Sequence, residues 1–548
     1  MTARRTGRSR PAMAVGIGMG LGMAALSLGA TAQASWLNTA SRTYALENAV
    51  QLGALPESGT LRVALGLKLQ NESALDGFLA RSHTLYDRDY GATLSGEEFV
   101  SKYAPSQRQV DTVTAYLRRA GFSNIEVSAN RLLVTAEARP SQIEAAFSTR
   151  LRQFSLAGRK VFANTADVLI PDTLAGLVHA VLGLQNVDQA RPMLAFPDAT
   201  PLASTTGHNP TAFAAIYDAL GVATGGGTDI AIISDGNLTQ TVTDLQAFES
   251  QNGITPVPLH FVPAEVNGTD TSGVVEWDLD SQSSIGIAGT VRNLYFYNAA
   301  SLGDADLAVA YNKAVSDNIV KGINVSLGIC EKSPHNSGAM ATDDNIFKQA
   351  VAQGQTFFVS SGDGGAKTGC SGHTGLTKQV SYPASSPYVV AVGGTTLSTN
   401  GNVWAGETAW SGSGGGVSVY EAAPTWQKSV TGSSFREVPD VAMDADPNSG
   451  AILVNNGSTV QVGGTSLAAP LSTGTWARVQ SSHSNTLTFA APLIYAAVGK
   501  TPVPYHDVTS GSNGSGLLGG GYSAKAGYDE VTGWGSFEVA NFNTVVGH

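Results

Sequence analysis

Residues 463–470 read Gly-Gly-Thr-Ser-Leu-Ala-Ala-Pro, and the chain is organised around them. Two glycines, a hydroxyl residue and an apolar run entering a helix are how a strand-to-helix turn presents a nucleophile. The glycines permit positive φ and close approach of a substrate backbone. Ser466 then lies near the start of a helix running through Leu467, Ala468 and Ala469 past Pro470. There the unpaired N–H groups and the helix dipole favour developing negative charge. Taken alone, the octapeptide fits equally a Gly-rich turn capped by Thr465 or Ser466. The rest of the chain decides between the two.

At 548 residues the chain exceeds one ordinary core, so two folded domains plus extras are expected. A hydrophobic fraction of 42% with 14% charged residues describes a globular protein rather than a disordered one. Residues 1–34 stand apart: Arg4, Arg5, Arg8 and Arg10 precede a small-residue apolar stretch, and Ala32-Gln33-Ala34 supplies a cleavage site. This reads as a secretory signal peptide, the alternative being a membrane anchor. Export through either secretory route leaves the destination extracellular or periplasmic. Cys330 and Cys370 are the only cysteines. In an exported protein they are expected to pair, the alternative being two free thiols, and their number excludes a cysteine-built metal site. Residues 35–195 carry 16 basic and 15 acidic side chains, whereas 196–548 carry 12 and 28. A carboxylate-rich domain repels itself less as pH falls, and it argues against nucleic-acid binding.

Residues 35–190 read as an α+β domain. Leu61–Leu67 is an expected strand, and Ser106–Ala120 a helix with Val110, Val113, Tyr116 and Leu117 on one face. Two strand–helix–strand passages suggest a ferredoxin-like sandwich. Residues 191–207 are rich in proline and threonine and lack periodicity, which marks a linker with a processing site. From 208 to 548, buried strands (Asp229–Ile233, Leu294–Tyr297, Ile323–Leu327, Thr356–Ser360, Val389–Val392) alternate with helices. That alternation predicts a doubly wound parallel α/β sheet, whose ligand sites gather at the carboxyl ends of the strands.

Several motifs fall there. Glu276 and Asp280 are four residues apart on an expected helix, hence on one face, with Asp278 on another. They form either a solvated acidic face or a pair sharing a proton, a carboxyl-based general base for acid conditions. Asp363 lies in Ser-Ser-Gly-Asp-Gly-Gly after a strand, as a turn residue or as a protonated donor to an oxyanion. Ser326, Leu327 and Gly328 end another strand and offer backbone to an extended peptide. Near the carboxyl end, Asp507-Val508 and Lys525-Ala526-Gly527-Tyr528-Asp529 suit either an Asp-capped loop or an oxygen-liganded cation such as Ca²⁺.

Glu276, Asp280, Asp363 and the Gly-Gly-Thr-Ser466 turn, in this order, resemble the sedolisin (serine-carboxyl peptidase) family, and the amino-terminal domain is similar to that family's activation propeptide. The resemblance implies a subtilisin-like fold in which Glu276 replaces histidine as the base. It further implies Ser466 as nucleophile, Asp280 orienting Glu276, and Asp363 in the oxyanion hole. It also implies one structural calcium held by Asp507, Val508, Lys525, Gly527 and Asp529, although lysine stands at 525 where the family has glycine. A Ser-His-Asp subtilase would need histidine in a His-Gly setting; none of the nine is followed by glycine, and His208 and His373 are expected in exposed loops. A lipase-type Gly-x-Ser-x-Gly elbow is absent around Ser466. The expectation is a monomeric, secreted zymogen acting on protein and peptide substrates at acid pH, with its own propeptide as intramolecular inhibitor. Acidification is expected to weaken carboxylate-mediated docking of that propeptide and to prompt self-cleavage in the linker.

Overall fold

Apolar alternation over Leu61–Leu67 and a helical stripe over Val110–Leu117 build the amino-terminal domain. The computed structural model describes residues 35–547 apart from 45, 47, 48, 85, 198–206, 264–268, 368–377 and 515–519. The expected signal peptide, His373, Cys370 and much of the linker lie outside the described residues. Strand β1 (Leu61–Leu67), helix α1 (Gln107–Arg119), strands β2 (Ser123–Val127) and β3 (Leu133–Ala138), helix α2 (Pro140–Ala146) and strand β4 (Val178–Leu182) follow in turn. Shorter helices, Glu72–Ser82 and Gly96–Lys102, precede α1. The sheet is antiparallel in the order β2-β3-β1-β4, the arrangement of a ferredoxin-like sandwich. A capping box between Ser106 and Gln109 starts α1, and Val110, Val113 and Leu117 bury against the sheet, with Tyr116 half-buried.

A short strand, β5 (Arg191–Pro192), leads into the larger body. Its central sheet is built from β6 (Gly225–Asp235), β7 (Leu259–Val262), β8 (Val291–Ala299) and β9 (Gly322–Val325), with helices α3 (Thr239–Gln251), α4 (Val274–Ala288) and α5 (Asp304–Asp317) between them. Then come β10 (Leu327–Cys330), α6 (Ala339–Ala352), β11 (Thr356–Ser360), β12 (Ser381–Tyr382), β13 (Val390–Asn400), β14 (Val403–Ala409), β15 (Val441–Asp444) and α7 (Thr465–Ser482). The eight-stranded sheet runs β7-β8-β6-β9-β11-β13-β14 with β15 beside β13, parallel except for β13–β14. The strand expected over Ile323–Leu327 is divided. The chain leaves the central sheet at Ser326, whose hydroxyl and carbonyl are bonded elsewhere, and β10 joins β5 and β12 in a separate sheet. Among the described residues no helix is long and apolar enough to cross a membrane.

Helices α4 and α7 cross at close range on one face of the central sheet. A side chain at Gly474 of α7 would strike the Ser284 carbonyl oxygen of α4 at 2.3 Å, so only glycine permits this approach. On the other face, β1 and β4 of the amino-terminal sheet lie on α5 and α6, and Ala64, Leu133, Ala180 and Leu182 join the core of the body. Asn130 plugs this contact: its amide donates to Asn312 (2.6 Å) and Gln349 (2.8 Å) and its oxygen accepts from Asn312 (3.0 Å), all buried. Lys348 of α6 is enclosed between Glu72 (2.6 Å) and Asp76 (3.1 Å). Asn130→Ala leaves two buried amides short of partners and is expected to cost about 1–3 kcal/mol. Thermal unfolding of the full chain, with loss of hydrogen-exchange protection in β4 and α6, checks it.

Candidate active site

Ser466 is the second residue of α7 and fully buried. Gly464 precedes the helix at φ 99°, where a side chain would strike the Met193 carbonyl oxygen (2.2 Å) and Asp363 Oδ2 (2.6 Å). The sequence supplies the only residue that fits both the conformation and the space. Pro470, four residues on, has no N–H to bond the Ser466 carbonyl, and that carbonyl instead faces the Ser326 hydroxyl at 3.4 Å. The Ser466 hydroxyl donates to the Ser326 carbonyl at 3.2 Å, and its backbone N–H donates to the Met193 carbonyl at 2.9 Å.

Glu276 and Asp280 project from successive turns of α4 toward this point, and both are buried. Neither Glu276 oxygen holds a hydrogen bond. Burial, and then the Asp280 and Asp363 charges, push its carboxyl well above the ordinary range, against the opposing influence of the Ser466 hydroxyl. Asp280 Oδ1 accepts from the Ser326 hydroxyl at 2.5 Å, and Asn324 in turn donates to that hydroxyl at 3.0 Å. Burial raises Asp280 to about 8 in spite of these donors. Asp363, after β11, is held by Thr465, whose N–H and hydroxyl both donate to Oδ1 at 2.8 Å. Its Oδ2 is buried without a partner, and burial raises the carboxyl to about 7. In the acid range Oδ2 carries a proton aimed at the space beside Gly464. The set can therefore accept a proton at a carboxylate next to a serine and donate one to a developing oxyanion.

The fold thus brings together all four residues singled out for chemistry. Ser326 doubles as the hydroxyl partner of Asp280, and Leu327 and Gly328 pair with Pro192 and Arg191. Asp278 points elsewhere, to Asn455 (2.8 Å), and burial raises it to about 8. His208 is buried rather than exposed, against Phe213 at 5.7 Å, because its backbone joins the strand Ala451–Asn455. Among the described residues no histidine bonds Ser466, Glu276 or Asp280. Cys330 is buried at the end of β10, while Cys370 lies outside the described residues. Thr465, Asn324 and Met193 were not expected. Thr465 alone carried a local signal, as a potential cap.

In the carboxyl-terminal loop, Asp507 Oδ2 accepts from the Gly527 N–H at 2.9 Å. Asp529 is buried and accepts from the N–H groups of Lys525 (3.0 Å), Val531 (2.9 Å) and Thr532 (2.8 Å). The Val508, Lys525 and Gly527 carbonyls accept no hydrogen bond from a described residue, and the Lys525 ammonium turns away toward Glu530 at 3.8 Å. Two carboxylates with three open carbonyls fit a hard, oxygen-liganded cation.

Two family profiles match separate stretches of the chain. The family profile described as Pro-kumamolisin, activation domain, matches residues 47–187, and that of the Subtilase family matches 265–525. The chain is 43% identical to sedolisin of Pseudomonas sp. (strain 101) over 526 residues, covering 91% of this chain and 89% of that one. It is 43% identical to xanthomonalisin of Xanthomonas sp. (strain T-22) over 549 residues, covering 90% of this chain and 66% of that one. A solved structure of Pseudomonas sedolisin, a serine-carboxyl proteinase complexed with two molecules of pseudo-iodotyrostatin, aligns with a TM-score of 0.59 at 45% identity, covering 62% of this chain and 98% of that one.

Asp278 offers a test of how strongly the interior favours protonated carboxyls. Its folded pKa exceeds the unfolded value, so its contribution is intact below about pH 4 and is lost as pH rises toward 8. Asp278→Asn keeps the Asn455 contact. It is expected to be neutral at pH 4 and stabilising by about 2–4 kcal/mol at pH 7, measured by thermal unfolding in a Ser466→Ala background.

Proposed function

The chain belongs to the sedolisin family of serine-carboxyl peptidases, and from that premise we propose that it is a secreted endopeptidase, made as a zymogen, that works at acid pH. The observation that carries the reading is the convergence of Glu276, Asp280 and Asp363 on Ser466 at a helix start, with no cation among the described residues opposite any of the three carboxyls. Ser466 attacks the peptide carbonyl after its hydroxyl swings from the Ser326 carbonyl to Glu276, which takes the proton. Asp280, fixed by Ser326, holds the counter-proton and orients Glu276. The oxyanion forms between the Ser466 N–H and protonated Asp363 Oδ2. Glu276 returns the proton to the leaving amine, and water then releases the acyl group by the reverse path.

The same reading makes the amino-terminal domain an intramolecular inhibitor, residues 1–34 an export signal, residues 191–207 the processing linker, and Cys330–Cys370 a disulfide joining two loops near the site. The enzyme acts as a monomer. A calcium ion would be held by the carboxylates of Asp507 and Asp529 and the carbonyls of Val508, Lys525 and Gly527, and would pin the last loop to the body.

A pH–rate profile on denatured protein tests the chemistry. Activity is expected to peak below about pH 5 and to fall as Asp363 loses its proton. Ser466→Ala and Glu276→Gln should each lose about 10⁴-fold or more in kcat. Asp363→Asn, still accepting from Thr465 and donating through Nδ2, should stay within about 10²-fold and lose the alkaline limb, whereas Asp363→Ala should cost about 10²–10³-fold. A peak near neutrality with active Glu276→Gln would refute the carboxylate mechanism. For the cation, chelation is expected to lower the melting temperature and added Ca²⁺ to restore it. In Asp529→Asn both effects should vanish; a melting temperature indifferent to chelation in the unmodified protein would dismiss the site.

A further inference from the structure

The site already holds an extended peptide, and it is the chain's own linker. Arg191 and Pro192 of β5 pair antiparallel with Gly328 and Leu327 of β10. The Met193 N–H donates to the Ser326 carbonyl at 3.1 Å, and the Met193 carbonyl accepts from the Ser466 N–H at 2.9 Å. Beyond Leu194, Ala195 and Gly463 exchange both backbone bonds, at 3.0 and 2.8 Å. One strand is thus clamped on each side of a single carbonyl. That carbonyl shares the space beside Gly464 with Asp363 Oδ2.

The sequence also locks the register. In antiparallel pairing, alternate N–H groups face the partner strand. Residues 191 and 193 point theirs at β10 and Ser326, and Pro192, which has none to give, occupies the position facing away. Sliding the linker by one residue in either direction would put Pro192 where an N–H is required. The Met193 side chain lies over Gly328: a methyl group added there would come within 2.6 Å of the Met193 Cε.

We propose that this chain first cuts itself between Met193 and Leu194, and that Gly328 keeps open the pocket that accepts an unbranched apolar side chain on the acyl side of the cut. The inference rests on the reading of Ser466 as nucleophile. Ser466 Oγ bonds to the Met193 carbonyl carbon while its proton passes to Glu276. The carbon–nitrogen bond to Leu194 then breaks, and the proton moves from Glu276 to the Leu194 nitrogen. Water replaces the departing amine, releasing the Met193 carboxylate and returning a proton to Ser466.

Full-length zymogen is shifted from neutral pH to about pH 4, and its fragments are followed by intact mass and amino-terminal sequencing. The first new terminus is expected at Leu194, and none in Ser466→Ala. Met193→Asp, on the half-exposed linker, should slow this cut at least about tenfold. Gly328→Ala should slow it similarly, and adding Met193→Ala should restore it, which a damaged fold would not allow. A first terminus elsewhere, or undiminished cutting in Met193→Asp, overturns the proposal. Turnover of denatured protein is measured in parallel. Turnover with a first cut elsewhere rejects only this register, whereas an intact chain without turnover, or self-cleavage in Ser466→Ala, rejects the peptidase reading with it.

Discussion

Three carboxyl groups, those of Glu276, Asp280 and Asp363, are enclosed beside one serine, and among the described residues no arginine, lysine or histidine is bonded to them. Charge in such a place is costly, because desolvation is not repaid by an opposite charge. The three therefore resist ionising together, and each is held above the ordinary carboxylate range by burial. On the reading proposed above, chemistry at this site uses the acid form at Asp363 and one proton shared between Glu276 and Asp280, which leaves one carboxylate to act as base. A histidine base would reverse this, since it would bring a cation into the cluster and lower all three pKa values. On the proposed reading, this environment of buried carboxyls favours work in acid and divides the roles among otherwise similar side chains.

The carboxyls converge because two helices approach more closely than ordinary side chains allow. Gly474 lets α7 rest on the Ser284 carbonyl of α4, which brings the first turn of one helix against the first turn of the other. Pro470 then frees the Ser466 carbonyl toward Ser326, and Ser326 turns its hydroxyl to Asp280. The break between β9 and β10 follows from the same residue. A serine that bonds to α4 through its side chain and to the linker through its carbonyl has no carbonyl left for the central ladder.

What the sequence disclosed, and what it withheld, follows from the range of the interactions involved. The Glu276–Asp280 spacing and the Gly-Gly-Thr-Ser turn are local patterns, legible because helix geometry and glycine conformation are local. The fold class of both domains was legible in the alternation of strands and helices, whereas the strand order of the larger sheet was not. The clamp of Thr465 on Asp363 and the plug of Asn130 into α5 and α6 are contacts between distant segments, and no periodicity announces them. Linker residues 191–195 gave no residue-level signal, since extended backbone recognised through N–H and carbonyl groups leaves almost no side-chain trace. Proline at 192 is the exception, and its meaning appears only once the register is known. His208 reads as a loop residue by its neighbours, and it is buried because its backbone bridges to Ala451.

The domain interface bears on how such an inhibitor is released. Lys348 between Glu72 and Asp76 ties the two domains by ion pairing across their interface. Asp304 accepts from Gln185 across the same interface and lies beside Asp188. Burial raises it, so its contribution to docking is intact in acid and is lost only as pH rises through the shifted value. Titration of this carboxyl therefore supplies no release in acid. Connectivity gives one. While the linker is whole, the amino-terminal domain faces its site at an effective concentration of order millimolar, and a weakened contact re-forms as fast as it opens. Once the linker is cut, the same contact must compete with dilution. A modest loss of ion pairing, without consequence before the cut, then suffices for dissociation. On the proposed reading, the cut made at the active site is therefore also the event that lets the interface come apart.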